Sequence, residues 1–189
     1  MRESHEAEEG YVKTAAHNYV SRQATIHGAK NVEMKGKSII HNNAIIRGDL
    51  TNIRIGRYCQ IGNNTIIRPP SYQISLNTEK EQIQFLPCLI GNHTRIGQNC
   101  VIEAAAIGSS VYISDRCVIS KRVIIKDCCY IEKGTVIPPD MVIPPFSRVS
   151  GCPGKIVDDT ILPESIAVIF VDECVKGFSQ FVKQLEIQD

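Results

Sequence analysis

The sequence predicts an all-β fold, a parallel solenoid of hexapeptide repeats, with one α-helix at its C-terminal end. Three observations predict it. Aliphatic residues recur on a six-residue period at Ile107, Ile113, Ile119, Ile125, Ile131, Ile137, Ile143 and Val149. The residues two positions before these aliphatics are nearly all small. The last two dozen residues switch to a helical spacing. A period of six is not helical, because 3.6 does not divide it. Six residues make one short strand and a corner, and three such units make one coil.

The period extends upstream. Ile90, Ile96 and Ile102 keep the same step, and a five-residue step leads on to Ile107. Ile55, Ile61 and Ile67 form a third run, and Met34, Ile40 and Ile46 a fourth in a shifted phase. Each aliphatic is expected to point inward, and so is the residue two before it, because strand side chains alternate. These partners are Cys59, Thr65, Cys88, Thr94, Cys100, Ala105, Val111, Cys117, Val123, Cys129, Thr135, Met141 and Ser147. Gly56, Gly62, Gly91, Gly97 and Gly108 follow the aliphatics and suit sharp corners. Pro138-Pro139 and Pro144-Pro145 also fall at corners, where no ladder donor is needed.

Residues 68–89 break the period and read as a long external loop. From Ile166 onward the apolar residues Ile169, Phe170, Cys174, Phe178, Phe181, Val182 and Leu185 form a helical stripe. Pro163 and Glu164 suit its first turn and Lys183 its last. The expected organisation is a flexible acidic N-terminus at 1–10, a β-helix at 11–155 and a C-terminal segment with the helix at 156–189.

Composition narrows the function. The chain has 189 residues, with 21 Lys plus Arg against 20 Asp plus Glu. No basic stripe marks a nucleic-acid binder. The first ten residues carry no apolar run, and no stretch is long enough to span a bilayer, so a cytoplasmic location without membrane insertion is expected. The eight cysteines are then reduced thiols. Five occupy small inward positions, and no CxxC pair occurs. Cys100 and Cys117 should stack in adjacent coils about 4.8 Å apart, with parallel side chains that favour buried thiols over a bridge.

The residue just before each inward aliphatic should face outward. These residues sort into three columns: Val101, Val118 and Val136; Ala106, Ile124 and Val142; Tyr112, Tyr130 and Arg148. Strand propensity alone favours such residues. A single helix covers only one column, however, and the rest form an apolar surface suited to assembly. Tyr112, Ile124, Tyr130, Val142 and Arg148 are the interface candidates.

The hexapeptide run, the five-residue step after Ile102, I-I-R-G-D-L at 45–50 and S-G-C-P-G-K at 150–155 resemble the gamma-class carbonic anhydrases. The resemblance implies a left-handed β-helix with a C-terminal helix, in a family that is usually trimeric and binds zinc between subunits through three histidines. The corresponding positions here hold Arg68, Gln98 and Glu103. Arginine offers no lone pair and repels a cation, glutamine offers a neutral amide, and one glutamate is not a site. The family's polar Gln and Asp fall on Gly62 and Asn63. No metal, no cofactor and no catalytic residue is therefore expected, because nothing remains to acidify water. His41 and His93 lie at corners, with no second histidine or carboxylate at a ligand spacing.

More specific stretches are V-S-R-Q at 20–23, N-V-E-M-K-G-K-S-I-I at 31–40, I-I-R-P-P at 66–70, I-K-D-C-C at 125–129 and V-I-P-P-D-M-V-I-P-P-F at 136–146. They are similar to the dynactin subunit 5 family, from about Tyr11 to Pro163. That resemblance implies a non-enzymatic, cytoskeleton-associated subunit of the dynactin pointed-end complex. Its partners would be dynactin subunit 6, dynactin subunit 4 and the pointed-end actin-related protein, with dynein cargo adaptors beyond them. It would support dynein-dependent endosome transport along microtubules. Two enzyme readings stand against it, a gamma carbonic anhydrase-like one and a hexapeptide acyltransferase-like one that would need His41 or His93 as base.

Overall fold

The computed structural model of the chain describes residues 10–76 and 80–188. The expected acidic terminus, residues 1–9, lies outside the described residues. Successive short strands turn through three faces to build a left-handed parallel β-solenoid of about six turns. Face I carries, in order, Tyr11–Lys13, Tyr19–Ser21, Ile39–Ile40, Gln60–Ile61, Arg95–Ile96, Tyr112–Ile113, Tyr130–Ile131, Ser147–Ser150 and Lys155–Ile161. Face II carries Thr25–His27, Ile45–Arg47, Ile66–Ile67, Val101–Ile102, Val118–Ile119 and Val136–Ile137. Face III carries Val32–Gly36, Ile53–Arg57, Cys88–Ile90, Ala106–Ile107, Ile124–Ile125 and Val142–Ile143. All pairings within the solenoid are parallel. Antiparallel strands close only the two ends of face I, where Tyr11–Lys13 pairs with Tyr19–Ser21 and Lys155–Ile161 with Ser147–Ser150.

The period-six aliphatics are the core. Ile61, Ile67, Ile102, Ile113, Ile119, Ile131, Ile137 and Ile143 are all fully buried. Their inward partners Cys59, Thr65, Cys88, Thr94, Cys100, Val111, Cys117, Val123, Cys129 and Thr135 are buried too, and Ser147 nearly so, while Met141 packs against the core partly buried. One assignment is corrected. After the five-residue step Ala104, not Ala105, is fully buried. The shortened step leaves the N–H groups of both Ala105 and Ala106 directed at the Val123 carbonyl, a local bulge that turns Ala105 off the core.

The corners follow a different logic from the one glycine suggests. Gly56, Gly62, Gly91, Gly97 and Gly108 do not carry the positive φ. It falls instead on Asn43, Asn64, His93, Asn99, Arg116, Arg122, Cys128 and others, at φ between 52° and 63°. Asparagine tolerates that region best, and each other residue pays about 1–2 kcal/mol for it. The glycines serve close stacking. A Cβ on Gly91 would lie 2.5 Å from the carbonyl carbon of Gly108 in the next coil.

Two further expectations change. Residues 68–89 are not an irregular loop: Ser71–Leu76 and Lys80–Phe85 form an antiparallel hairpin. Tyr72 and Ile74, then Ile83 and Phe85, alternate with polar residues, a period of two that a search for six passes over. Arg122 Nη1 donates to the Ser71 carbonyl at 2.8 Å and ties the hairpin to its edge. The C-terminal helix runs Ser165–Gln188, so Lys183 lies inside it rather than in its last turn. Pro163 and Glu164 precede it, and their carbonyls accept the N–H groups of Ile166 and Ala167.

Candidate functional surfaces

Arg68 and Glu103 sit at one edge of face II, directly after Ile66–Ile67 and Val101–Ile102. Ile67 and Ile102 are in register, so the two side chains stack across adjacent coils. Arg68 Nη1 lies 3.7 Å from Glu103 Oε1, with Arg68 45% exposed and Glu103 18%. Gln98 is exposed at the opposite edge of face II, where its N–H donates to Asp115 Oδ1 at 2.9 Å. Within one chain the three positions do not converge. Asn63 braces a corner, its Oδ1 accepting the Asn42 N–H at 3.1 Å. At Arg68 and Glu103 a guanidinium, which has no lone pair to offer a metal, stands beside a single carboxylate. Among the described residues no three His, Cys, Asp or Glu side chains come together.

The two corner histidines are less solvated than their positions suggest. His41 Nδ1 is 3.1 Å from Tyr11 Oη, and its ring meets the edge of Phe181 at 5.8 Å. Burial, aided by the nearby Arg95 charge, lowers its pKa. His93 stacks on Tyr58 at 5.5 Å, and burial lowers its pKa as well.

The cysteines have a role beyond filling space. Four of the five inward thiols donate to a corner carbonyl of the following coil: Cys59 to Gly91 at 3.0 Å, Cys100 to Ser114 at 3.2 Å, Cys117 to Glu132 at 3.0 Å and Cys129 to Pro144 at 3.1 Å. Thr65 and Thr94 do the same to Gly97 and Gly108 at 2.7 and 2.9 Å. Cys and Thr are thus interchangeable donors in one ladder. Thr135, in the last face II unit, is the exception: its buried hydroxyl has no partner. Burial pushes the Cys59 and Cys88 thiols up to about 12, and those of Cys129 and Cys174 to about 11, which keeps them protonated and unreactive. All eight cysteines are free, and Cys152 alone is exposed.

The outward columns register as their spacing requires. Val101, Val118 and Val136 align on face II, Ala106, Ile124 and Val142 on face III, and Tyr112, Tyr130 and Arg148 on face I. The C-terminal helix lies along face I. Tyr112 and Tyr130 stack at 5.3 Å, and Phe170 rests over them at 5.9 and 6.5 Å. Phe178 packs against Tyr19 and Tyr58, and Phe181 against Tyr11 and Tyr19. Gly177 lets the helix approach Gln60, whose Nε2 would lie 2.7 Å from a Cβ there. Arg148 binds Glu132 at 2.5 Å. Tyr112 and Tyr130 therefore seat the chain's own helix. Ile124 is half-buried and Val142 56% exposed on an uncovered face. Phe170, nearly buried beneath the helix, completes the aromatic seat.

The coil, its corner ladder and the hairpin define a hexapeptide-repeat protein of the left-handed β-helix class. Solved structures agree on the fold. A hexapeptide transferase family protein from Anaplasma phagocytophilum is 17% identical, with a TM-score of 0.59 over 86% of this chain and 90% of that one. The acetyltransferase domain of PglB from Neisseria gonorrhoeae is 14% identical, with a TM-score of 0.56 over 74% and 57%. The profile of the family described as Dynactin subunit 5 matches residues 3–187, and the chain belongs to that family. Dynactin subunit 5 of Dictyostelium discoideum is 45% identical over 99 residues, 52% of this chain and 48% of that protein. The mitochondrial gamma carbonic anhydrase 2 of Arabidopsis thaliana is a more distant relative, 22% identical over 160 residues, 85% of this chain and 53% of that protein. The matches span about half the length of these curated relatives.

Proposed function

We propose that the chain is a non-enzymatic structural subunit of the dynactin pointed-end complex. It holds neighbouring subunits through its flat faces and so supports dynein-dependent cargo transport. The observation that carries this reading is the Arg68–Glu103 ion pair, which stands where the resembled enzymes need metal ligands. Family membership supports it. Arg68 and Glu103 flank one edge of face II and Gln98 the other, the two edges that would meet between neighbouring β-helices in a site built from two copies. Between those edges runs an outward column of Ile45, Ile66, Val101, Val118 and Val136. Face II is therefore the surface for a related β-helical subunit, dynactin subunit 6 by resemblance. Dynactin subunit 4, the pointed-end actin-related protein and cargo adaptors meet other surfaces.

The test is elemental analysis of the purified chain together with copurification from cells. Substoichiometric zinc and recovery of the other pointed-end subunits are expected. Stoichiometric zinc with hydratase activity, or acetyl-coenzyme A binding lost in His41→Ala or His93→Ala, would replace this reading with one of the enzyme readings.

A further inference from the structure

Faces I and III each display an outward column parallel to the solenoid axis, but only face I is covered by a helix. On face III the column is Leu89, Ala106, Ile124 and Val142, in unbroken register. Leu89 is 44% exposed and Val142 56%. The small Ala106 leaves a notch between Leu89 and Ile124. Four coils span about 14 Å, or between two and three turns of an α-helix.

Face I shows how this scaffold receives a helix. Side chains of the helix at three- and four-residue spacing, Phe170, Cys174, Phe178 and Phe181, descend onto successive coils, and a small residue marks the closest approach. Face III offers the complement, with the small residue on the sheet. Face II does not: its column is uniformly Ile and Val, a level surface rather than a notched one.

Charge defines the partner further. The groove over the face III column is rimmed by Lys35, Arg54, Lys126 and Asp127. Of the carboxylates there, one is paired with a cation and the other is bound only by a backbone amide. Glu33 pairs with Arg54 at 3.0 Å, and Asp127 Oδ1 accepts the Ser109 N–H at 2.7 Å. Lys35 and Lys126 are exposed, and neither has an ion-pair partner among the described residues. With Glu33 and Arg54 paired, Lys35 and Lys126 outweigh Asp127, so the rim around the apolar floor is net positive.

We propose that face III is the seat of an amphipathic α-helix from a partner protein, with an apolar stripe at three- and four-residue spacing bordered by Asp or Glu. This rests on the reading of the chain as an assembly subunit and specifies what one of its faces takes. The apolar stripe fills the notch at Ala106, and the acidic borders meet Lys35 and Lys126.

The test titrates the full-length chain with two labelled, stapled helical peptides, both with leucines at three- and four-residue spacing, one flanked by glutamates and the other by lysines. The glutamate-flanked peptide is expected to bind at least about tenfold more tightly than its lysine counterpart. Val142→Glu should weaken it at least about tenfold, with an unchanged melting temperature, whereas Val118→Glu on face II should not. Lys35→Glu with Lys126→Glu should erase the preference between the peptides. Equal binding of the two, no binding, or binding indifferent to Val142→Glu would overturn the proposal. Copurification of the neighbouring β-helical subunit separates this from the broader reading. If that subunit is retained with Val142→Glu and lost with Val118→Glu while the peptides fail, only the helix seat falls.

Discussion

Faces I and III are built by the same six-residue rule, and their inward halves are equivalent. Their outward halves differ in kind. The face I column carries two stacked tyrosines before Arg148, and the chain's own aromatic helix lies on them. The face III column is aliphatic and bare, with Val142 more than half exposed. The inward residues thus make the prism, while the outward residues choose what lies on it. Tyr112 and Tyr130 present broad π faces to Phe170, geometry that aliphatic side chains cannot reproduce. The same lesson holds along the axis. Both ends of face I are closed by antiparallel strands, whereas faces II and III end in parallel strands whose outer edges carry no further strand among the described residues.

Breaking the inward rule should have the largest effect. Ile119→Ala removes a fully buried side chain from a narrow core and is expected to cost about 2–5 kcal/mol in urea unfolding. Phe170→Ala acts on the cover of face I alone. It should release the helix, cost about 2–4 kcal/mol and make residues 165–188 susceptible to limited proteolysis while the coil signal persists.

The corner ladder sharpens the comparison between interior coils and the last one. Thr65→Val strands the Gly97 carbonyl and the Cys100 N–H, which bonds to Thr65 Oγ1 at 3.1 Å, and is expected to cost about 1–3 kcal/mol. Thr135→Val removes a hydroxyl that has no partner and should be neutral or stabilising by up to about 1 kcal/mol in the same assay. Equal losses at the two sites would mean that the ladder contributes nothing specific.

The smallest effect concerns pH and again separates face I from the rest. His41 has a folded pKa below its ordinary value, so folding favours the neutral ring. The stabilisation is present above about pH 6.5 and is lost as the pH falls through the lower folded value. Melting followed by circular dichroism should decline on acidification below that point, and His41→Gln should flatten the decline.

Much of the architecture was legible because the physics is local and periodic. Every six-residue aliphatic step from Ile107 to Val149 is a buried core position, and the three outward columns fall in the predicted registers. What escaped was information carried by a second period or by a neighbour. The alternation within 72–85 has a period of two and leaves no mark on a period of six. The five-residue step moved the inward alanine by one position. The glycines after the aliphatics were visible, but their reason, contact with the next coil, requires stacking that one repeat does not reveal. Cysteine was legible as small and buried, yet not as a donor, although its exchange with Thr65 and Thr94 at equivalent positions was the available signal. The helix stripe was readable, and the face it would choose was not. The available signal was the match between its phenylalanines and the one tyrosine column. Where the resembled enzymes carry metal ligands, the residue types Arg68, Gln98 and Glu103 were readable from sequence. Their separation onto two edges of face II needed the fold.

The most direct measurement of the central claim, that the flat faces rather than a pocket carry the function, is quantitative copurification of Val118→Glu with the neighbouring β-helical subunit, set against its thermal melt. The account predicts loss of that subunit at a wild-type melting temperature. Full recovery of the subunit with a folded variant would contradict it.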